Sequence, residues 1–468
     1  MDGSTICAVA TAPGRGGIAV IRVSGKEAIE VVGRVFRPGL AERPSHGAVL
    51  GRLVGTDGTL LDECVAVPFR GPRSYTGEDT VELSVHGSPY IQEEAVRALL
   101  GAGCRLAGPG EFTLRAFMQG RLDLAQAEAV GDLIAAEHAG AHRLALEHLR
   151  GGFSREIRGL RERLIGFAGL LELELDFAEE DVAFADRAAF DALLAELLTA
   201  IAALTDSFAT GNALRDGVPV AIIGAPNRGK STLLNALLGD DRAIVSDVAG
   251  TTRDTIEDTC ILGGIKFRFI DTAGLRETAD AVEAEGIRRA LDKAATASIV
   301  LHLLDAASDP SPLAPPRSPG SPRSPGSPLD SPSSPSPDLV LAPSATVLRV
   351  WNKVDLATPP DPASPSVLHL SARSGLGLST LRNRLIEIAS AADTPAPSLI
   401  VTNLRHYEAL TATADALRAV RSGLASGLPT DLCASSLRQA LYHLGSITGE
   451  IDPEDILDHI FANFCIGK

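Results

Sequence analysis

Residues 224–231 read G-A-P-N-R-G-K-S, which has the G-x-x-x-x-G-K-S spacing of a phosphate-binding loop. The end glycines let backbone N–H groups approach phosphate oxygens, the Lys230 ammonium neutralises the β- and γ-phosphates, and the Ser231 hydroxyl ligates magnesium. An apolar run, 218–224, leads into the loop, and an amphipathic stretch begins at Thr232, so strand, loop and helix follow in the required order. The octet therefore predicts binding of a nucleoside triphosphate. The residues assigned to the phosphate site are Asn227, Arg228, Gly229, Lys230, Ser231 and Thr232.

Two later segments predict that the base is guanine. Residues 352–355 read N-K-V-D and follow the apolar run 347–351. The Asp355 carboxylate can accept hydrogen bonds from the ring N–H and the exocyclic amine of guanine, a donor pair that adenine lacks, so GTP is favoured over ATP. Residues 371–373 read S-A-R after another apolar run, where a backbone N–H can meet the guanine oxygen. The residues assigned to base recognition are Asn352, Lys353, Asp355, Ser371, Ala372 and Arg373.

Two segments between these motifs predict contacts to magnesium and to the γ-phosphate. Residues 271–274 read D-T-A-G after a strand-like run, so Asp271 can bind magnesium through water and the Gly274 N–H can sense the γ-phosphate. Residues 249–254 read A-G-T-T-R-D, in which a threonine hydroxyl can complete the magnesium shell. Each short segment alone is weak, but their order along the chain makes coincidence implausible. The nucleotide site therefore also includes Asp271, Thr272, Ala273 and Gly274.

Catalysis by such a site needs a group that orients the attacking water. Signalling GTPases often carry a glutamine directly after the D-T-A-G segment, but Leu275 stands there and an apolar residue cannot position water. Glu283 is the candidate replacement. On sequence alone, a solvated carboxylate on an acidic helix is the favoured interpretation of Glu283.

Segments outside the nucleotide site make nearly the whole chain resemble the MnmE (TrmE) family of tRNA-modification GTPases. The C-I-G-K ending, combined with an internal phosphate-binding loop, is very specific. The supporting stretches are A-P-G-R-G-G-I-A-V-I-R at 12–22, Y-T-G-E-D at 75–79 through Glu82, P-G-E-F-T at 109–113, G-R-L-D-L-A-Q-A-E-A at 120–129 and F-C-I-G-K at 464–468.

The resemblance implies that potassium supplies the positive charge given elsewhere by an arginine finger. It also implies that Glu283 polarises the nucleophile through water, with Lys230 as the second catalytic residue. The implied magnesium ligands are Ser231 and Thr252. The implied potassium ligands are Asn227, the backbone carbonyls of Ser246 and Val248, and Thr251.

The same resemblance implies that the N-terminal region binds a tetrahydrofolate derivative, 5,10-methylene- or 5-formyl-, as a one-carbon source. A pterin edge suits a carboxylate such as Glu82, and glutamate carboxylates suit arginine, although each of these residues alone also fits an ordinary surface charge. Cys465 has no neighbouring base in the sequence and is interpreted as a tail residue. The positions that match the family's folate contacts are Arg22, Glu82, Arg121 and Lys468.

The resemblance further implies that a homodimer acts with an MnmG-like FAD protein to modify carbon 5 of the wobble uridine in certain tRNAs. The product would be an aminomethyl or carboxymethylaminomethyl derivative. A ribosome-assembly GTPase, which switches RNA binding, is the main alternative, but the sequence shows no basic RNA-binding module such as a KH G-x-x-G segment. A folate-dependent transferase with a regulatory GTPase is a third class.

Composition is that of an ordinary globular protein, with 45% apolar and 22% charged residues over 468 positions, enough for about three domains. No apolar run of about 18 residues suggests a membrane span, and the N-terminus lacks a basic signal start, so a cytoplasmic location is expected. Six scattered cysteines favour reduced thiols. His138 and His142 share a helical face, but a surface helix is a better interpretation than a metal site. The net charge of −16 suggests that contact with tRNA is local or shared with the partner.

The fold class predicted is multidomain α/β and α. Residues 1–118 form an α/β folate-binding-like domain, since short β-branched runs alternate with Gly/Pro turns. The absence of proline between Pro109 and Pro219 favours long helices. A Ras-like GTPase domain, 216–380, is inserted into a helical domain formed by 119–215 and 381–468. Within the GTPase domain, the Pro/Ser-rich stretch 309–338 is expected to be a disordered loop, either a PxxP ligand or, as favoured, a neutral insertion.

Overall fold

We describe a computed structural model of the chain. The residues described are 3–176, 187–225, 227–239, 257–271, 297–308, 345–391 and 399–451, with residues 464 and 467. The chain divides into two compact units. One comprises Met1–Ala135, Ala145–Ala202 and Glu408–Lys468, and the other Ala136–Leu144 and Ala203–Tyr407.

The first unit begins with a seven-stranded sheet in the order β3-β4-β5-β6-β2-β1-β7. All its strand pairs are antiparallel except β1 with β7. Its strands are β1 (Ile6–Val9), β2 (Ile18–Ser24), β3 (Phe36–Arg37), β4 (Val49–Val54), β5 (Leu60–Phe69), β6 (Thr80–His86) and β7 (Arg105–Leu106). Its helices are α1 (Ala28–Val35), α2 (Pro89–Gly101) and α3 (Glu111–Met118).

Alternation along the strands explains how this sheet buries one face. Ile21 and Val23 of β2 and Leu83 of β6 pack with α1 and α2 in one hydrophobic core. Their neighbours Arg22 and Glu82 therefore point to the other face, because successive strand residues face opposite sides. The sequence thus places polar residues together on the face that α1 and α2 leave open.

Helices form most of the remaining described residues of the first unit, as the proline-free stretch predicts. Helix α12 (Thr430–Thr448) packs along α6 (Gly152–Asp176), and both bury leucines at helical spacing, including Leu160, Leu164, Leu437 and Leu444. Along the chain, the helices that follow β7 and precede the second sheet are α4 (Leu124–Ala135), α5 (Ala139–Leu149), α6 (Gly152–Asp176), α7 (Arg187–Asp206) and α8 (Phe208–Asp216). The later helices are α9 (Lys230–Leu238), α10 (Leu378–Ala391), α11 (Leu404–Ala425) and α12 (Thr430–Thr448).

The second unit contains a six-stranded sheet in the order β13-β12-β11-β8-β10-β9. Only β9 runs antiparallel to its neighbour. Both faces are covered, and β11 is buried at every position, as expected for a parallel strand at the centre of an α/β sheet. The strands are β8 (Val218–Ile223), β9 (Glu257–Leu262), β10 (Ile265–Asp271), β11 (Ile299–Asp305), β12 (Thr346–Asn352) and β13 (Val367–His369). The predicted combination of α/β and helical parts, with a nucleotide-binding domain inserted in the chain, is confirmed.

Two sequence-based interpretations need revision. A helical stretch, Ala188–Asp216, is long and apolar enough to cross a membrane by length and composition, with a mean hydropathy of 1.7 in its best window. Core helices of soluble proteins pass the same test, although 28% of this window is buried; Leu194, Leu197 and Ile201 are among the buried residues of the stretch. His138 is also buried rather than on a surface, and its Nδ1 accepts a hydrogen bond from the Ala141 N–H. No cluster of three metal-ligating side chains occurs within the described ranges.

Candidate nucleotide-binding site

The phosphate-binding loop lies at the carboxyl edge of the parallel strands. Strand β8 pairs with β10 on one side and β11 on the other, and the loop joins its end to the first residue of α9, Lys230. Ligands of open α/β sheets bind at this edge. The predicted order of strand, loop and helix is present.

The two glycines of the loop are required by close backbone approach. At Gly224 the φ angle is +152°, and an added Cβ would lie 2.6 Å from the Leu303 carbonyl oxygen. At Gly229 the φ angle is +91°, and an added Cβ would lie 2.4 Å from Asn352 Nδ2. Asn227 also adopts a left-handed conformation, with φ of 63°, which asparagine tolerates better than most residues. A side chain at Gly224 would therefore clash with the Leu303 backbone, and one at Gly229 would displace the Asn352 amide.

Lys230 turns back over the loop. Its Nζ donates to the carbonyl oxygens of Gly224, at 2.6 Å, and Ala225, at 3.2 Å. No side chain in the described part of the chain caps the first turn of α9, so this turn offers N–H groups and the positive end of the helix dipole to an anion. Ser231 and Thr232 are exposed there. The ammonium, the helix start and the hydroxyls fit the phosphates and magnesium of GTP.

Asn352 connects three of the predicted segments. Its side chain is buried, Nδ2 donates to the Arg228 carbonyl at 2.9 Å, and Oδ1 accepts from the Ala372 N–H at 2.9 Å. Lys353 Nζ donates to the Asn227 carbonyl at 3.1 Å. The base-recognition segments and the phosphate-binding loop are thus hydrogen-bonded to one another.

Base recognition needs a carboxylate that is accessible. Asp355 is exposed, as is Arg373, while Ser371 is buried and accepts a hydrogen bond from the Ser374 N–H. An exposed carboxylate beside the buried Asn352 can accept two donors from a guanine edge. The arrangement fits the predicted preference for guanine.

Sequence reasoning missed two buried titratable residues on β11, His302 and Asp305. Asp305, at the end of β11, accepts from Lys353 Nζ at 2.7 Å. Burial alone would raise the pKa of Asp305, but hydrogen bonds from Lys353, Ala307 and Ser308 outweigh it and hold the pKa below its usual value. Burial, followed by the charges of Arg349 and Arg228, lowers the pKa of His302 to about 4. The available signals were Asp305, which follows the largely apolar run 299–304, and His302 within that run.

Part of the predicted site falls outside the described residues. Asp271 ends β10 and its backbone pairs with Ile222, which places it at the same edge as the phosphate-binding loop. The predicted residues that lie outside the described ranges are Ser246, Val248, Thr251, Thr252, Thr272, Ala273, Gly274, Glu283 and Lys468.

The proposed folate residues Arg22 and Glu82 are directly paired across β2 and β6. Arg22 Nη2 lies 2.8 Å and Nε 3.0 Å from Glu82 Oε1. The guanidinium also lies over the Tyr75 ring, 4.9 Å from its centroid, and 5.7 Å from the centroid of Phe112. A charged pair beside two aromatic faces can hold a flat heterocycle with polar edges.

The other two proposed folate positions are Arg121 and Lys468. Arg121 is exposed and packs against Gly77, since a Cβ at Gly77 would lie 3.1 Å from Arg121 Cγ. Gly77 is two residues along the chain from Tyr75. Near the chain end, a Cβ at Gly467 would lie 2.2 Å from the Val9 carbonyl oxygen. Gly467 therefore packs closely against β1, the strand that neighbours Arg22.

Family comparisons cover nearly the whole chain. Residues 5–121 match the family described as GTP-binding protein TrmE N-terminus, and residues 124–465 match the MnmE helical domain. Two relatives are each named tRNA modification GTPase MnmE. The protein from Christiangramia forsetii is 48% identical and that from Flavobacterium johnsoniae 46% identical, each with 99% of both chains covered.

A solved structure gives a partial match. The FeoB G-domain from Methanococcus jannaschii is 20% identical, covering 37% of this chain and 97% of its own, with a TM-score of 0.23.

Proposed function

The chain belongs to the MnmE family of tRNA-modification GTPases, and on this premise we propose that it is potassium-activated and modifies carbon 5 of the wobble uridine. It hydrolyses GTP and binds Mg²⁺ in doing so. In the proposed reaction an MnmG-like FAD protein is its partner, and the product is an aminomethyl or carboxymethylaminomethyl uridine in certain tRNAs. GTP hydrolysis drives a rearrangement and does not carry out the carbon chemistry.

The observation that carries the GTP-binding part of this proposal is the linkage through Asn352. Its hydrogen bonds to Arg228 and Ala372 join the phosphate-binding loop to both base-recognition segments. A phosphoryl-transfer site works chiefly by positioning and by neutralising charge. Lys230, Ser231 and Asp355 would hold the nucleotide, and Glu283 would act through water.

Potassium activation is supported by the loop residue Asn227. It is exposed and left-handed, and Lys353 Nζ donates to its carbonyl oxygen; the resemblance to the family assigns its side-chain amide oxygen to the cation. No arginine finger is needed if potassium supplies the charge. The remaining proposed ligands are Ser246, Val248 and Thr251, with Ser231 and Thr252 for magnesium.

Folate binding is supported by the Arg22–Glu82 pair beside Tyr75 and Phe112. The glutamate would accept from the pterin edge, and arginine would hold a carboxylate of the folate tail. Arg121 and Lys468 would complete the site. The bound tetrahydrofolate derivative would supply the one-carbon unit.

A homodimer is supported by the open face of the N-terminal sheet. Leu50 is 74% exposed and Ile18 is 68% exposed, and the strand register places both on the face of Arg22 and Glu82. Apolar side chains on a sheet face are suited to burial against a partner. A second copy would cover this face and the folate site together.

The remaining parts of the proposal concern the domains, the RNA and the cell compartment. The domains are 1–118 for folate, 119–215 with 381–468 for the helical domain, and 216–380 for GTP. The acidic net charge of −16 is consistent with tRNA contact shared with the flavoprotein. The described cysteines Cys7, Cys64, Cys104, Cys260 and Cys433 are buried thiols outside any disulfide, which fits the reducing cytoplasm.

Mass analysis of tRNA nucleosides tests the proposed reaction. Cells that lack this chain should lose the aminomethyl-type uridine, and a plasmid copy should restore it. A plasmid copy with Lys230→Ala should not restore it, because the β- and γ-phosphates lose their neutralising charge. Intact wobble modification in the deletion strain would refute the proposal.

Potassium activation is tested separately on the purified protein. GTP turnover should be faster in KCl than in NaCl at equal ionic strength, and Asn227→Ala should remove most of that difference. The exposed residue Asn235 gives a matched control, since Asn235→Ala lies on α9 outside the loop. Equal turnover of the unmodified protein in the two salts would exclude potassium without affecting the tRNA assignment.

A further inference from the structure

We propose that Asp305 is a positioning residue of the nucleotide site. It holds Lys353 and, through Lys353, the Asn227 carbonyl, so that the base-recognition and phosphate-binding segments keep one arrangement. Asp305 belongs to none of the GTPase motifs. The inference concerns the GTPase activity itself and does not depend on potassium, folate or wobble modification.

The position of Asp305 follows from strand register. It is the last residue of β11 and lies opposite Asn352, the last residue of β12. The Ala306 N–H donates to the Asn352 carbonyl at 3.0 Å. Although the insertion 309–338 separates the two strands in the chain, parallel pairing brings Asp305 beside the base-recognition segment.

The Asp305 carboxylate is fixed before any ligand binds. Oδ1 accepts from the Ala307 N–H at 2.9 Å, and Oδ2 accepts from Ser308 Oγ at 3.0 Å. The residue is only 3% exposed. Lys353 Nζ then donates to Oδ2 at 2.7 Å. A carboxylate held by its own turn gives the lysine one defined anchor.

Lys353 needs such an anchor for two reasons. Its φ angle is +62°, a left-handed conformation that a residue other than glycine keeps only when its surroundings enforce it. Its side chain is long and rich in rotamers, so fixing it costs conformational entropy. Nζ is held between Asp305 and the Asn227 carbonyl in the folded protein. The conformational entropy of the Lys353 side chain is therefore lost on folding and not on nucleotide binding.

Charge explains why a carboxylate suits this position better than an amide. Asparagine at 305 could still accept from the Ala307 N–H, but its own NH₂ would then face the Lys353 ammonium, donor against donor. The lysine would lose its charged acceptor and leave the Asn227 carbonyl free to move. Asp305→Asn therefore removes the charged acceptor of Lys353 but keeps a side chain of the same size at the end of β11.

The experiment is a double-mutant cycle on the full-length protein with fluorescent GDP and with GTP. Asp305→Asn should weaken GDP binding about tenfold, chiefly through faster dissociation, because a charge-assisted hydrogen bond is lost. The KM for GTP should rise in the same direction as the dissociation constant for GDP. Lys353→Met should weaken binding at least as much, and the double variant should be no weaker than Lys353→Met.

A purely structural role would give a different pattern. Asp305→Asn would then lower the thermal midpoint and leave nucleotide dissociation unchanged, or its effect would add fully to that of Lys353→Met; either result would overturn the proposal. The control is Asp415→Asn, which breaks an exposed pair with Arg418 in the other unit and should alter neither measurement. If Asp305→Asn does not fold, Asp305→Glu keeps the charge but shifts it: weaker binding with an unchanged midpoint supports positioning, and unchanged binding overturns it.

Discussion

Asn352 Nδ2 donates a 2.9 Å hydrogen bond to the Arg228 carbonyl oxygen, so one buried side chain joins the proposed base-recognition segment to the phosphate-binding loop. The same side chain accepts from the Ala372 N–H. The segments proposed to bind the two ends of the nucleotide are therefore hydrogen-bonded to each other. Loss of that side chain should loosen the whole site rather than one contact.

Asn352→Ala should weaken GDP binding by about tenfold to a hundredfold. The substitution removes the two hydrogen bonds that join the segments, and this range corresponds to a loss of about 1.4–2.8 kcal/mol of binding free energy in total. Titration with fluorescent GDP measures the change. The exposed Asn235→Ala serves as the matched control, and equal affinities of the two variants would show that the Asn352 bonds do not hold the site.

The sequence predicted the motif residues of this site but not their mutual bonds. Motif spacing placed Lys230 at the start of a helix and Asn352 and Asp355 at or just after the end of a strand, because local residue types determine turns and caps. The role of Asp305 depends on the register between two strands separated by an insertion, and no local pattern contains that register. His138 was misread for a similar reason, since its burial comes from contacts remote in the chain.

Asp355→Asn should change the preferred base from guanine to xanthine. The exposed carboxylate can accept from two guanine donors, whereas an asparagine amide donates once and accepts once, which matches the carbonyl and ring N–H of xanthine. Competition of XTP and GTP for the fluorescent nucleotide measures the preference. Xanthosine nucleotides should bind the variant at least about tenfold better than they bind the unmodified protein. A variant that still favours GTP would mean that Asp355 does not contact the base.

His302 should make the protein less stable in mild acid. Its pKa is lowered to about 4 from 6.5 by burial and by Arg349 and Arg228, so the folded protein keeps it neutral while the unfolded chain takes up a proton below pH 6.5. The contribution of neutral His302 to the free energy of unfolding is therefore complete above about pH 6.5 and falls as the pH drops towards 4. Between pH 7 and 5 the loss should be about 2 kcal/mol.

The measurement compares the free energy of unfolding at pH 7 and pH 5 for the full-length protein and for its variant His302→Leu. The variant cannot titrate, so its stability should fall less over this interval even if its stability at pH 7 is lower. His142 is exposed, and His142→Leu should keep the original dependence on pH. Parallel pH profiles for His302→Leu and the unmodified protein would contradict the prediction.

Glu82→Gln should weaken binding of 5-formyl-tetrahydrofolate about tenfold, with a small effect on stability. A neutral amide loses the charge-assisted bonds to a pterin edge, whereas the Arg22–Glu82 pair is partly exposed, at 18% and 29%, and contributes at most about 1 kcal/mol to folding. Equilibrium titration and thermal unfolding separate the two effects. Glu93→Gln is the control, because Glu93 forms an exposed pair with Arg97. If both variants bound the folate as the unmodified protein does, the assignment of Glu82 would be wrong.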